Sequence, residues 1–137
     1  MKRTHDNIYL NEDNRKVKDS FVAVANKIAE KPFSMIADVG CATGAFPAYL
    51  KEKFPKNKIV GIEYLKNLLN KAERDFPNVR FLQGDVTIKS SVQEQFDVIT
   101  MLGVLCIFDD YASVLANVLS WLKPRGRLIL HNMVSEF

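Results

Sequence analysis

The sequence predicts an α/β fold, a mainly parallel sheet with helices on both faces. Three observations carry that expectation. Short apolar runs alternate with amphipathic stretches from residue 35 to residue 132. The runs are rich in Val, Ile and Leu, as strands buried on both sides require. A turn containing Gly40 and Gly44 joins the first run to a helical pattern, in the layout strand, glycine loop, helix.

Residues 1–16 are polar and read as irregular. Val17, Phe21, Val24, Ala25 and Ile28 then fall on one face of a helix, which Lys31-Pro32 ends because the residue before a proline avoids the helical region. Met35–Val39 is the first strand. Phe46, Leu50 and Phe54 give a helix over 45–54, with Pro47 in its first turn where the missing N–H is harmless. Lys58–Glu63 is the second strand, and Leu65, Leu68, Leu69, Ala72 and Phe76 mark the next helix. Val79–Gly84 is the third strand. Thr87–Gln95 is weakly patterned and suits a short helix. Phe96–Leu102 is the fourth strand. Val114, Leu115, Val118, Leu119 and Leu122 mark a helix ended by Lys123-Pro124-Arg125-Gly126, and Arg127–Asn132 is the fifth strand. The organisation is one domain, with an N-terminal cover and helix over 1–34 and a ligand-binding core over 35–137.

The 137 residues suffice for one core. A net charge of +3 gives no case for nucleic acid, which calls for a clustered basic face. Cys41 and Cys106 form neither a disulfide framework nor a metal-ligand spacing, so no metal is expected and the thiols read as reduced in a cytoplasmic protein. The basic start MKRTHDN is followed by no apolar segment of a signal peptide. No run reaches membrane-spanning length.

In a sheet of this kind the ligand binds outside the carboxyl ends of the strands, where strand order reverses. Asp38–Gly44 occupies that place. A dinucleotide fingerprint, G-x-G-x-x-G, is missing: Ala42 stands where the middle glycine would be. Asp38 ends the first strand, two residues before Gly40. Its charge would repel a pyrophosphate, which seeks bare amides and a helix N-terminus, but suits a cationic ligand. The alternative is a plain turn with Asp38 as a helix cap.

The stretch DVGCATGAF resembles the glycine-rich first motif of class I S-adenosylmethionine (SAM)-dependent methyltransferases, an acid followed by glycines at every second position, with Ala42 departing from it. IVGIE, GDV, FDVITMLGVL and LKPRGRLIL resemble later elements of that family in order and spacing, with Arg125 where the family often has glycine. The resemblance implies a Rossmann-like core over about Met35–Leu130. It implies SAM as cofactor, with the loop residues Asp38, Gly40, Cys41, Ala42 and Gly44 around its amino-acid end. Glu63 would take the ribose hydroxyls, and Tyr64 after it would belong to the same cofactor-binding set. Asp85 and Val86 would take the adenine, and Met101–Val104, Leu102 among them, would lie under the methyl-bearing sulfur. Residue by residue, Glu63 also reads as a strand-end cap and Gly84-Asp85 as turn chemistry.

The acceptor expected is a small molecule, methylated by in-line transfer. No firm general base is legible. His131, near the end of the fifth strand, is a candidate and also a plain structural residue. Asp109 and Asp110 read as a helix cap and Asp97 as structural; the resemblance implies that Tyr9 with Arg15–Lys18 could close over the cofactor, while residue by residue most of that run reads as exposed surface. The family usually adds strands beyond the fifth, so the chain reads as C-terminally truncated, with an exposed fifth-strand edge and a possible homodimer through it. Two alternatives stand beside this reading: a SAM-binding module without activity, and a nicotinamide-dependent oxidoreductase.

Overall fold

The computed structural model describes residues 6–132. The start of the basic N-terminal stretch, residues 1–5, and the last residues expected in the core, 133–137, lie outside the described residues. In chain order the elements are α1 (Asp6–Asn11), α2 (Asp19–Ala29), β1 (Met35–Val39), α3 (Ala45–Lys53), β2 (Lys58–Glu63), α4 (Lys66–Asp75), β3 (Arg80–Gln83), β4 (Phe96–Leu102), α5 (Tyr111–Ser120) and β5 (Leu122–His131). Short 3-10 turns lie at Lys89–Ser91 and Leu105–Ile107.

The five strands form one parallel sheet in the order β3-β2-β1-β4-β5. Strand order reverses between β1 and β4, so the ligand crevice of such a sheet opens at their carboxyl ends. Side-chain alternation divides the strand residues between two cores. Ile36, Ile59 and Val98 pack with Phe21, Val24, Ala25 and Ile28 of α2 and with Phe46 and Leu50 of α3. Ala37, Val39, Val60, Ile62, Ile99 and Met101 pack on the other face with Val114 and Val118 of α5 and with Trp121. Asp38 and Thr100 are opposite each other in register and lie on the α2–α3 side, by the same alternation.

Three expectations change. Residues 6–11, read as irregular, form α1, a helix too short to show an apolar period. Val17 precedes α2 and is exposed, so the helix face begins at Phe21. The fifth strand begins at Leu122. Phe96 pairs with Leu122 and Val98 already pairs with Arg127, so Lys123–Gly126 loops out as an irregularity inside β5. Arg125 takes a left-handed φ of 66° there.

The amino ends of the strands are tied by Asp97. Its Oδ2 accepts the Ser34 and Met35 amides at 3.1 and 2.8 Å, and its Oδ1 lies 3.6 Å from Lys123 Nζ. Burial pushes this carboxyl up, but those amides and the ammonium outweigh it and hold it below the usual range. The structural role expected of Asp97 stands on these contacts. Asp110 likewise caps α5, accepting from the Ser113 amide and hydroxyl.

Candidate functional site

β1 delivers Asp38 to the floor of the crevice. The side chain is 3% exposed, and its Oδ1 accepts from the Thr100 hydroxyl at 2.7 Å. Burial pushes the carboxyl up to about 7. The Thr100 hydroxyl pulls it down, and the neighbouring Glu63 charge adds to the rise. It does not cap α3: the N-cap is Gly44, at φ 87°, without a side-chain cap bond. A buried carboxylate with one hydroxyl donor has acceptor capacity left over, and a cation beside it would restore its charge.

The loop after β1 is folded onto β2. The Gly40 and Cys41 amides both donate to the Ile62 carbonyl, at 2.8 and 3.1 Å, and the Gly44 amide donates to the Cys41 carbonyl at 3.0 Å. The Ala42 amide donates to Glu63 Oε1 at 3.0 Å. Four loop amides, those of Gly40, Cys41, Ala42 and Gly44, are therefore committed within the protein. Gly40 (φ 76°) must be glycine, since a Cβ there would lie 2.3 Å from a Val104 methyl. Ala42 adopts φ 51°, a left-handed conformation that glycine takes without strain. The Cys41 thiol is buried, and burial first, then the Asp38 and Glu63 charges, keeps it protonated well above its ordinary range.

Glu63, also 3% exposed, ends β2 and holds two turns at once. Its Oε1 takes the Ala42 amide and its Oε2 takes the Leu65 amide at 2.9 Å. The capping role and the ligand role weighed for it are compatible, because each oxygen keeps a second lone pair. Tyr64 follows, with an exposed side chain and a carbonyl that accepts from Gln83 Nε2. After β3, Asp85 Oδ1 accepts from the Thr87 amide and hydroxyl, and Ser91 Oγ bridges the Asp85 backbone. Val86 is buried among the α5-side residues, and its carbonyl accepts from Asn117 Nδ2. Its side chain therefore packs inward and not as a wall of the crevice.

Of Met101–Val104, only Leu102 lines the cavity that holds Asp38, Gly40, Cys41 and Ala42. Met101 faces the core by strand alternation, and Val104 packs on Gly40. His131 is opposite Leu102 in register, its side chain is exposed, and its carbonyl accepts the Gly103 amide at 2.7 Å.

Two residues that sequence reasoning missed complete the site. Thr100 had a signal, a hydroxyl in the otherwise apolar run Val98–Leu102. Asn14 had none within NEDNRK. Its side chain is 5% exposed, and Nδ2 donates to the Thr43 carbonyl and to Asp75 Oδ2, both at 3.0 Å. The segment Glu12–Lys18, closed by a 3.2 Å ion pair between those two residues, thus crosses the glycine loop. Tyr9, Lys16, Lys18 and Phe21 join Asp38 around a cavity of about 100 Å³. A larger cavity, about 600 Å³, lies on the other side of the segment against α3 and Phe76, away from the acidic strand ends. Among the described residues no group of His, Cys, Asp and Glu is placed to hold a metal, and no helix is long and apolar enough to cross a membrane.

Residues 36–126 match the family described as "Methyltransferase domain". The chain is 32% identical over 102 residues to trans-aconitate 2-methyltransferase of Deinococcus radiodurans, covering 74% of this chain and 38% of that protein. It is 35% identical over 102 residues to malonyl-(acyl-carrier protein) O-methyltransferase of Halalkalibacterium halodurans, covering 69% and 37%. Among solved structures it resembles SAM-bound CalS10, an amino pentose methyltransferase from Micromonospora echinaspora, with a TM-score of 0.76 and 25% identity over 98% of this chain and 58% of that one. The chain thus spans less than two thirds of the length of these relatives. A parallel sheet reversing at β1 and β4, an acid-led glycine loop over the reversal and these matches agree: the chain belongs to the methyltransferase domain family, of the class I SAM-dependent type.

Proposed function

We propose that the chain binds SAM across the carboxyl ends of β1, β2 and β3 and supports methyl transfer to a small-molecule acceptor. The observation that carries this reading is Asp38: a buried carboxylate, raised to about 7, with the Thr100 hydroxyl as its donor. A ligand ammonium fits that demand, whereas a phosphate would meet a carboxylate and amides already committed to β2. The same commitment weighs against the nicotinamide alternative.

Asp38 would hold the cofactor's ammonium, within the loop Gly40, Cys41, Ala42 and Gly44. Glu63 would accept the ribose hydroxyls through its remaining lone pairs. Tyr64 and Asp85, at the ends of β2 and β3, would border the adenine, with the Val86 backbone beside them. Leu102 would bound the crevice on the β4 side. Bound there, SAM supplies a methyl group activated by its sulfonium. The protein's contribution is to hold acceptor and cofactor in line, an effect worth roughly 7–11 kcal/mol when the geometry is good. His131, exposed at the β5 end, is the one side chain we would test for proton removal from the acceptor.

The names of the relatives cover a tricarboxylate, an acyl-carrier thioester and an amino sugar, which supports a small acceptor without fixing its class. The reduced thiols Cys41 and Cys106 suit a cytoplasmic setting. A second copy pairing along the β5 edge would give the homodimer, and sedimentation as a monomer at high concentration would remove that arrangement.

Calorimetric titration with S-adenosylhomocysteine tests the main reading. Binding by the wild type, with severe loss in Asp38→Ala and Glu63→Gln, is expected. A well-folded protein that binds neither this ligand nor SAM would overturn it, and preference for NAD would revive the oxidoreductase.

A further inference from the structure

We propose that Asn14 is a positioning residue that latches the segment Glu12–Lys18 over the glycine loop, and so sets how fast the cofactor enters and leaves. This rests on the crevice being the cofactor site. The first support is size. The cavity between the segment and Asp38 is about 100 Å³, whereas sites for small ligands run to roughly 300–1,000 Å³. The amino-acid end of the cofactor, which this cavity would take beside Asp38, gains room there if a wall moves.

The second support is which wall can move. The crevice floor is β1 and β4, paired in the middle of the sheet. The glycine loop is held by three amides on β2. The segment has no strand pairing. It is held by the Asn14 amide, which joins the Thr43 carbonyl on one side to Asp75 on the other. Arg15 adds a ring contact, 5.6 Å over Phe76, and a long 3.5 Å contact to the Asp75 carbonyl.

The third support is room. The 600 Å³ cavity lies against the far side of the same segment, and Asn14, Lys16 and Ala45 line both cavities. Outward movement of the segment would enlarge the small cavity at the expense of the large one. Asn14 spans the division between them, and Asp75, held by Lys71 at 2.9 Å, anchors its far end on α4.

Association and dissociation of S-adenosylhomocysteine, measured by surface plasmon resonance on the whole chain, separate a latch from a merely structural residue. A latch that opens more often admits ligand faster and releases it faster still; a loosened fold does not bind faster. In Asn14→Ala the off-rate is expected to rise about tenfold and the on-rate a few-fold. Asp75→Ala removes the far anchor without emptying a buried site, and should move both rates the same way if Asn14→Ala fails to fold. Lys27→Ala, which breaks an exposed ion pair on α2 outside the segment, should match the wild type. Unchanged or slower association in folded Asn14→Ala and Asp75→Ala overturns the latch. A wild type that does not bind overturns the cofactor reading itself.

Discussion

Asp38 and Asp97 sit on neighbouring strands of one sheet, at opposite ends, and are treated in opposite ways. Asp97, at the amino end of β4, collects two backbone amides and a lysine, and its pKa falls. Asp38, at the carboxyl end of β1, is buried against one hydroxyl, and its pKa climbs to about 7. One acid is satisfied by the fold; the other is left with a demand that the fold does not meet. The cost Asp38 carries is one that the ammonium of the proposed cofactor would relieve.

The largest expected effect breaks this contrast at its functional end. Asp38→Asn should weaken S-adenosylhomocysteine binding by about 100-fold or more, the scale of losing one partner of a buried charge pair. The same change should stabilise the empty protein at pH 8 by as much as a few kcal/mol, since it removes a buried charge. A thermal melt and a titration on one sample read both signs. Asp97→Asn should do the reverse, costing about 1–3 kcal/mol of stability through charge-assisted bonds while leaving affinity within about twofold.

The contrast is next sharpened by pH. The folded Asp38 value lies above the ordinary 3.8. The folded state therefore binds more protons than the unfolded one between about pH 4 and 7, and stability falls as pH rises through that window. Asp97 is depressed, so its contribution is complete above pH 4 and is lost as pH falls below it. Ligand affinity should drop about tenfold from pH 8 to pH 6, as the protonated fraction of Asp38 rises. A flat profile in the wild type would remove Asp38 from the binding step. Thr100→Val takes away the donor that restrains the Asp38 value, so affinity at pH 7 should fall by about 1 kcal/mol, with the pH midpoint moved up.

The smallest effect concerns Ala42 and Arg125, the two non-glycine residues with left-handed backbones among those described. Both stand where the family resemblance has glycine. Relief of about 1–2 kcal/mol of strain is partly offset by about 0.4–1 kcal/mol of added chain entropy. Ala42→Gly and Arg125→Gly should each therefore stabilise by roughly 0–1.6 kcal/mol in chemical denaturation. Only Ala42→Gly should alter ligand binding, because Arg125 lies away from the crevice.

Much of the fold was legible because its signals are local. The bounds of β1, β2 and β4 follow from short, mainly apolar runs, whereas the strand order is set by pairings that no local signal shows. What escaped was non-local or too short to be periodic. The six residues of α1 span less than two turns. The start of β5 depends on Phe96 pairing with Leu122 across a looped-out Lys123–Gly126. At the site, Asp38 and Glu63 could be read because an acid at a strand end is conspicuous. Glu63's grip on the Ala42 amide could not, since nothing local shows a bond across 21 residues. Asn14 was invisible for the same reason, its partners lying 29 and 61 residues away.

The bulged fifth strand also governs when the molecule can be finished. Arg127 Nη2 donates to the Ile28 carbonyl at 2.8 Å and Nη1 to the Lys27 carbonyl at 3.2 Å, so the last turn of α2 is closed by a residue 100 positions downstream. At a synthesis rate of about 5–20 residues per second, α2 waits roughly 5–20 s for that closure. Until then the last turn of α2 has only its own backbone to close it, the Glu30 amide on the Lys27 carbonyl. The bonds that hold the Glu12–Lys18 segment, to Thr43 and Asp75, need only residues made before β4, so the roof of the pocket can be secured before its floor is complete.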